Sequence, residues 1–264
     1  MVPPWSQQRI TWKNNKREEM ISNPLAGAGY FLNGLKLISK KGIRTYVLIP
    51  LFINIIIFAL GLWFAIDQFG IFIEWALADL PTWLSWLEWF MWPLFALTFF
   101  GLVFFTFTII ANIIASPFSG PLANAVEKHL TGNNSPAPTK PFIKEVKDSL
   151  ANELIKLKHS LFLMMPLVFL SLLSFAFPLV SPAVAILWFI YAAWVLTLEY
   201  ADFPMANHGM AFRHIREKLA EKRILSLAFG SMAMLATLIP FINFLVMPVA
   251  VAGATKMYIN EFSS

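Results

Sequence analysis

The chain has 264 residues, of which 58% are apolar and only 13% charged, about half the ~25% usual in soluble domains. With 26 Phe, 10 Trp and a mean hydropathy of +0.65, it cannot be a water-soluble globule, whose surface could not hide so much apolar area. The net charge of +5 lies in loops between apolar runs rather than in a nucleic-acid-binding stripe, so no nucleic-acid partner is expected; the absence of Cys removes disulfides, thiolate metal ligands and thiol nucleophiles.

Residues 1–22 are polar and lack the apolar core of a signal peptide, and they read as a disordered cytoplasmic lead-in. Residues 23–264 read as a single helical membrane domain. Asn23-Pro24 offers a helix start, with Leu25, Tyr30, Phe31, Leu35 and Ile38 on its apolar face. Lys36, Lys40 and Lys41 crowd the far end, and Gly42 is the expected stop. Ile43 then begins the first span. From Thr45 to Ile66 there is no charge for 22 residues, which at about 1.5 Å per residue matches the thickness of a bilayer's hydrocarbon core.

Between Asp67 and Glu88 the four charges are all acidic, and Trp83, Trp86, Trp89 and Trp92 recur every third residue as an interfacial aromatic belt would. The second span is expected near Pro93–Ala115, with Pro117 and Pro121 marking its exit into a shorter segment that runs to Lys128. Thr131 to Pro141 is a loop by composition. Beyond it, Ile143, Val146, Leu150, Leu154, Leu157 and Leu161 follow helical spacing, giving an amphipathic cytoplasmic helix whose Lys144, Lys147, Lys156 and Lys158 suit lipid headgroups.

Ser160 to Leu198 is uncharged for 39 residues but interrupted at Phe177–Pro182, leaving halves of about 16–18 residues, short for full spans. Ile224 to Thr255 repeats the theme over 32 residues, with Pro240 and Pro248 inside. Proline-broken apolar runs of this kind mark half-helices near binding sites in transporters. Lys and Arg number eight in residues 1–44, six in 127–159 and five in 199–223, against none from Asp67 to Glu88. If each broken run enters and returns on one side, nineteen of the twenty cations share that side. The fold expected is therefore an all-α integral membrane protein: two long transmembrane helices, two Pro-broken hairpins that penetrate at least part-way, and amphipathic cytoplasmic helices.

Two constellations could carry chemistry. Gly34, Leu35, Lys36 and Arg44 form the first: a glycine lets an anion approach the backbone, Lys36 supplies charge and Arg44 closes the site from the next helix start. The same cations would serve equally as a collar for lipid headgroups. Glu199, Asp202 and His208 form the second, at the end of the third apolar run, where carboxylates and an imidazole could relay protons or simply cap helices and bind each other. His129, His159, His208 and His214 lack metal-ligand spacing, and no hydrolase or nucleotide-binding pattern occurs, so neither a metal, a cofactor nor a catalytic residue is expected.

Four stretches carry a resemblance: GLKLISKKGIRTYVLIPLFIN from Gly34, NIIASPFSGPLANAVEKHLTG from Asn112, YADFPMANH from Tyr200 and IPFINFLVMPVAVAGATKMY from Ile239. In this order, over roughly Ala28 to Asn260, the chain resembles the CysZ family of bacterial sulfate permeases. The resemblance implies an inner-membrane protein that brings sulfate into the cytoplasm for cysteine synthesis, with proton coupling; a multi-pass homo-oligomer in contact with membrane lipid is expected. The family's sulfate-binding pattern, Gly-Leu-Arg at the start of the first long helical region, falls by this resemblance on Gly34, Leu35 and Lys36. Lys in place of Arg gives a point charge where Arg gives a planar fork. Another oxyanion (sulfite, thiosulfate or molybdate) or a non-transporting scaffold are the rival expectations.

Overall fold

A computed structural model describes residues 24–78, 86–133 and 142–263; the polar lead-in, Trp83 and most of the Thr131–Pro141 loop lie outside them. The described residues form eight α-helices and a single 3₁₀ turn, with no strand among them. They are α1 (Pro24–Ile38), α2 (Arg44–Leu77), α3 (Trp86–Thr131), α4 (Phe142–Ala176), α5 (Ser181–Asn207), α6 (Phe212–Glu221), α7 (Arg223–Thr237) and α8 (Pro240–Glu261). Four segments among these residues are long and apolar enough to cross a membrane: Arg44–Trp75, Leu154–Ala176, Pro178–Asn207 and Ile242–Glu261.

Proline sets several boundaries as expected. Pro24 opens α1 and Pro240 opens α8, where a missing N–H costs least. Pro178 sits in the 3₁₀ turn between α4 and α5, so the first broken run is a helical hairpin. Its halves are longer than the uncharged count suggested. α4 and α5 carry charged residues such as Lys156 and Asp202 inside the helix, which extends the two arms to 23 and 30 residues of membrane-competent length. In the second hairpin α7 has 15 residues and α8 has 22.

Two sequence-based boundaries need correction. α3 continues through Pro117 and Pro121 to Thr131 instead of ending before them. Proline is tolerated inside membrane helices where neighbouring groups satisfy the freed carbonyls. α1, in turn, ends at Ile38 rather than at Gly42. The turn that follows is closed by bonds from the Lys40 N–H to the Leu37 carbonyl and from the Ile43 and Arg44 N–H groups to the Lys40 carbonyl.

The described residues fall into two compact units. The first takes in residues up to Arg44 and from Ser119 onward, and the second runs from Thr45 to Phe118. In the first unit α1 packs on α7 and α8, and α5 packs on the same pair. Small residues make this possible. A side chain on Gly27 would collide with the Leu225 carbonyl of α7, and one on Gly230 with the Ala193 carbonyl of α5. In lipid, where helix association gains little from the hydrophobic effect, such close backbone approach is a main source of packing energy. Phe229, Leu225, Val249, Ala250 and Met257 are fully buried between these helices.

In the second unit the inner stripe of α2 is Val47, Pro50, Asn54, Phe58, Leu62, Phe69 and Ile73, all buried or half-buried at helical spacing, while Leu48, Phe52, Ile55 and Ile56 are exposed. Phe69 stacks on Phe95 of α3 at 4.0 Å and meets Trp92 edge-on at 5.1 Å. Trp86 and Trp89 are exposed, as residues of an aromatic belt are.

Candidate functional site

Lys40, Lys41 and Gly42 lie in the turn after α1, and Arg44 is the first residue of α2. Lys36, Lys40, Lys41 and Arg44 are all exposed, and among the described residues none of them has an ion pair. Cations at a helix N-terminus meet the positive end of its dipole, an arrangement that a bound anion relieves. Gly42 adopts φ +90°, a left-handed conformation that suits glycine, and nothing lies within 4 Å of where its side chain would be. Its backbone is therefore open to a ligand. Ile43 between them is 1% exposed and anchors the turn to the protein.

Gly34 is placed differently. It lies inside α1, and a Cβ there would strike the Val249 carbonyl oxygen of α8 and stand 2.9 Å from the Gly253 nitrogen. Gly253 faces the Tyr30 carbonyl in return. The side of Gly34 that was expected to admit an anion is occupied by α8, because the absent side chain serves helix packing. Leu35 and Lys36 point to the exposed face of the same helix.

In the second constellation, Asp202 and His208 each meet a partner on another helix. Asp202 accepts a bond from Lys156 Nζ of α4 at 2.8 Å, both side chains being largely buried. His208, at the C-terminal end of α5, places Nε2 2.9 and 3.0 Å from the two carboxylate oxygens of Glu127 on α3. A carboxylate only accepts, so Nε2 carries the hydrogen. Asn207 donates to the Gly120 carbonyl and to Asn124 Oδ1, tying the same end of α5 to α3. Tyr258 of α8 packs its ring 5.1 Å from that of His208. Glu199 is exposed about two and a half turns before His208 on α5.

With these positions fixed, comparison with known proteins is decisive. The sequence profile described as "Sulfate transporter CysZ/Etoposide-induced protein 2.4" matches residues 30–248. The "Sulfate transporter CysZ" of Pseudomonas paraeruginosa is 39% identical over 239 residues, covering 90% of this chain and 96% of the relative. That of Pectobacterium atrosepticum is 36% identical, covering 90% and 86%, and that of Pseudomonas syringae pv. tomato 39%, covering 92% and 95%. The chain belongs to the CysZ family.

In this CysZ-family chain, sequence reading missed Glu127 and a network at the end of α8, and it assigned to lipid headgroups Lys156, whose largely buried side chain is instead paired with Asp202. Tyr30 Oη donates to Glu261 Oε1 at 2.7 Å, and Lys222 Nζ donates to Glu261 Oε2 at 2.6 Å and to the Glu261 carbonyl at 2.9 Å. Lys218 Nζ donates to the Phe262 carbonyl at 2.7 Å. Two lysines thus satisfy the carbonyls of the last residue of α8 and of the residue that follows it, and oppose the negative end of its dipole. Burial, and then the bond to Glu261, push the Tyr30 hydroxyl up to about 12. No group of His, Asp or Glu among the described residues is arranged to hold a metal ion.

Proposed function

We propose that this protein carries sulfate inward across the bacterial inner membrane, and that the anion is first held at the turn joining α1 to α2. The reading is carried by one observation: in a chain alike over nine-tenths of its length to sulfate transporters, Lys40, Lys41 and Arg44 stand exposed around the open backbone of Gly42, with no ion pair among the described residues. Gly42-Ile43-Arg44 is itself glycine–aliphatic–arginine, at the start of a 34-residue helix. Its place at the start of that long helix supports reading the family's pattern there rather than on Gly34-Leu35-Lys36. Lys36, exposed on the last turn of α1, is proposed as an outer cation. The chain is a multi-pass membrane protein, and a subunit–subunit path for the strongly hydrated ion makes a homo-oligomer part of the proposal.

Uptake of radiolabelled sulfate by proteoliposomes tests the reading, with sulfite, thiosulfate and molybdate as competitors. Arg44→Ala is expected to weaken sulfate binding roughly ten- to hundredfold, the loss of one charge-assisted contact, and added salt to narrow the difference. Lys36→Ala should lose less. Absence of flux with unchanged sulfate affinity in both variants would refute transport in favour of a headgroup collar. Proton coupling, with Glu199, Asp202 and His208 as its proposed residues and supply of sulfur for cysteine synthesis as its purpose, fails if uptake ignores an imposed pH gradient.

A further inference from the structure

Within the uncharged stretch of α2 from Thr45 to Ile66, one side chain is a carboxamide. Asn54 lies ten residues into the helix, about 15 Å along its axis, close to the middle of a ~30 Å hydrocarbon core. It is 6% exposed, and its Oδ1 is buried with no hydrogen-bond partner among the described residues. The position is on the protein side of the helix: Val47, Pro50 and Asn54 share the buried stripe, while Phe52, Ile55 and Ile56 on either side face outward. Leucine at this position would satisfy the packing of a lipid-immersed helix without an unmet polar atom, and burying one uncompensated costs free energy. Pro50, one turn earlier on the same stripe, also removes the N–H that would bond the Tyr46 carbonyl. A polar side-chain atom without its ordinary partner therefore faces inward at membrane depth, one turn from a proline that supplies no backbone donor. Polar groups in that setting face a water-filled cavity or a transported ion.

We propose that Asn54 is a mid-membrane station for the hydrated oxyanion. Its amide NH₂ donates to an anion oxygen, and its carbonyl accepts from a water that travels with the ion. The two ends of a carboxamide exchange by a flip, so the group serves either partner without a charge that would trap a dianion. This rests on the sulfate-transport reading and adds to it a residue remote from the cation turn.

The test uses the full chain in proteoliposomes, with sulfate as the probe, and compares wild type with Asn54→Leu and Asn54→Ser. Wild-type flux establishes transport by itself, so its absence would count against the parent reading. Given that flux, Asn54→Leu is expected to slow initial uptake about tenfold, equivalent to roughly 1.4 kcal/mol on the barrier. Its sulfate affinity should stay within about twofold, as for independent sites. Its melting temperature in detergent should equal or exceed that of wild type, because an unmet acceptor has been replaced by an apolar group of similar size. Asn54→Ser, which keeps a donor and an acceptor, should recover much of the rate. Uptake by Asn54→Leu within about twofold of wild type overturns the proposal. So does a loss of rate that tracks a fall in melting temperature and is equally severe in Asn54→Ser. If the leucine variant fails to fold, the serine variant beside Asn54→Ala gives the same decision: equal rates overturn the proposal, and a faster serine supports it.

Discussion

Replacing Gly34 with alanine separates the two roles a glycine at this position could have. The added Cβ would lie 2.9 Å from the Gly253 nitrogen and 3.0 Å from the Val249 carbonyl carbon, with the Val249 oxygen nearer still. Reaching an ordinary contact of 3.4 Å from the nitrogen alone requires a separation of 0.5 Å (3.4 less 2.9), and the oxygen demands more. No flexible side chain can yield, because the opposing atoms are backbone. α1 must move away from α8 along a crossing that also includes Gly253 against the Tyr30 carbonyl. Forced repacking of this kind costs about 1–3 kcal/mol. Gly29, on the same helix with nothing within 4 Å, is the control, and Gly29→Ala should gain up to about 1 kcal/mol through helix propensity. The assay is thermal unfolding of purified protein in detergent, paired with sulfate titration of the fraction that remains monodisperse. Gly34→Ala should melt well below Gly29→Ala while its folded fraction binds sulfate normally. If it melts like wild type but loses sulfate affinity, the glycine serves the ion and the packing argument fails.

Two other perturbations address the polar contacts. Tyr30 titrates near 10 in an unfolded chain and is held up to about 12 in the fold, so the folded state keeps its proton as pH rises; the stability this contributes is complete below pH 10 and is lost across roughly pH 10–12. Tyr30→Phe should be less stable at neutral pH yet show a shallower alkaline decline, read by melting temperature against pH; an unchanged alkaline slope would contradict it. For the pair between α4 and α5, Lys156→Met or Asp202→Leu alone removes one partner of a largely buried ion pair and should cost about 3–5 kcal/mol, whereas the double replacement should recover most of that loss. A double mutant as unstable as the two singles summed would deny the coupling.

What the sequence disclosed and what it concealed divide along physical lines. The hairpin between α4 and α5 was readable because Phe177–Pro182 interrupts an uncharged run, and backbone chemistry acts locally. The starts of α1 and α2 were nearly readable for the same reason. The fate of Pro117 and Pro121 was not, since whether a proline ends a membrane helix depends on what its neighbours supply. Glu127 and His208 are 81 residues apart, and Lys156 and Asp202 are 46 apart, with no spacing rule to connect them. The meaning of Gly34 depended on Gly253, more than two hundred positions later. Gly42 looked like a mere helix stop, although its place between three cations was the better sign of an open backbone.

The glycines where α1 meets α8 and α7, and where α7 meets α5, have a mechanical corollary. Side chains that interdigitate can change rotamer and let one helix slip along another; a carbonyl seated against a bare Cα has no such freedom. α1, α5, α7 and α8 should therefore travel as one rigid piece through any cycle of opening and closing. A pair of cysteines placed across the α1–α8 crossing, in a chain that has none of its own, should lock without slowing the transporter.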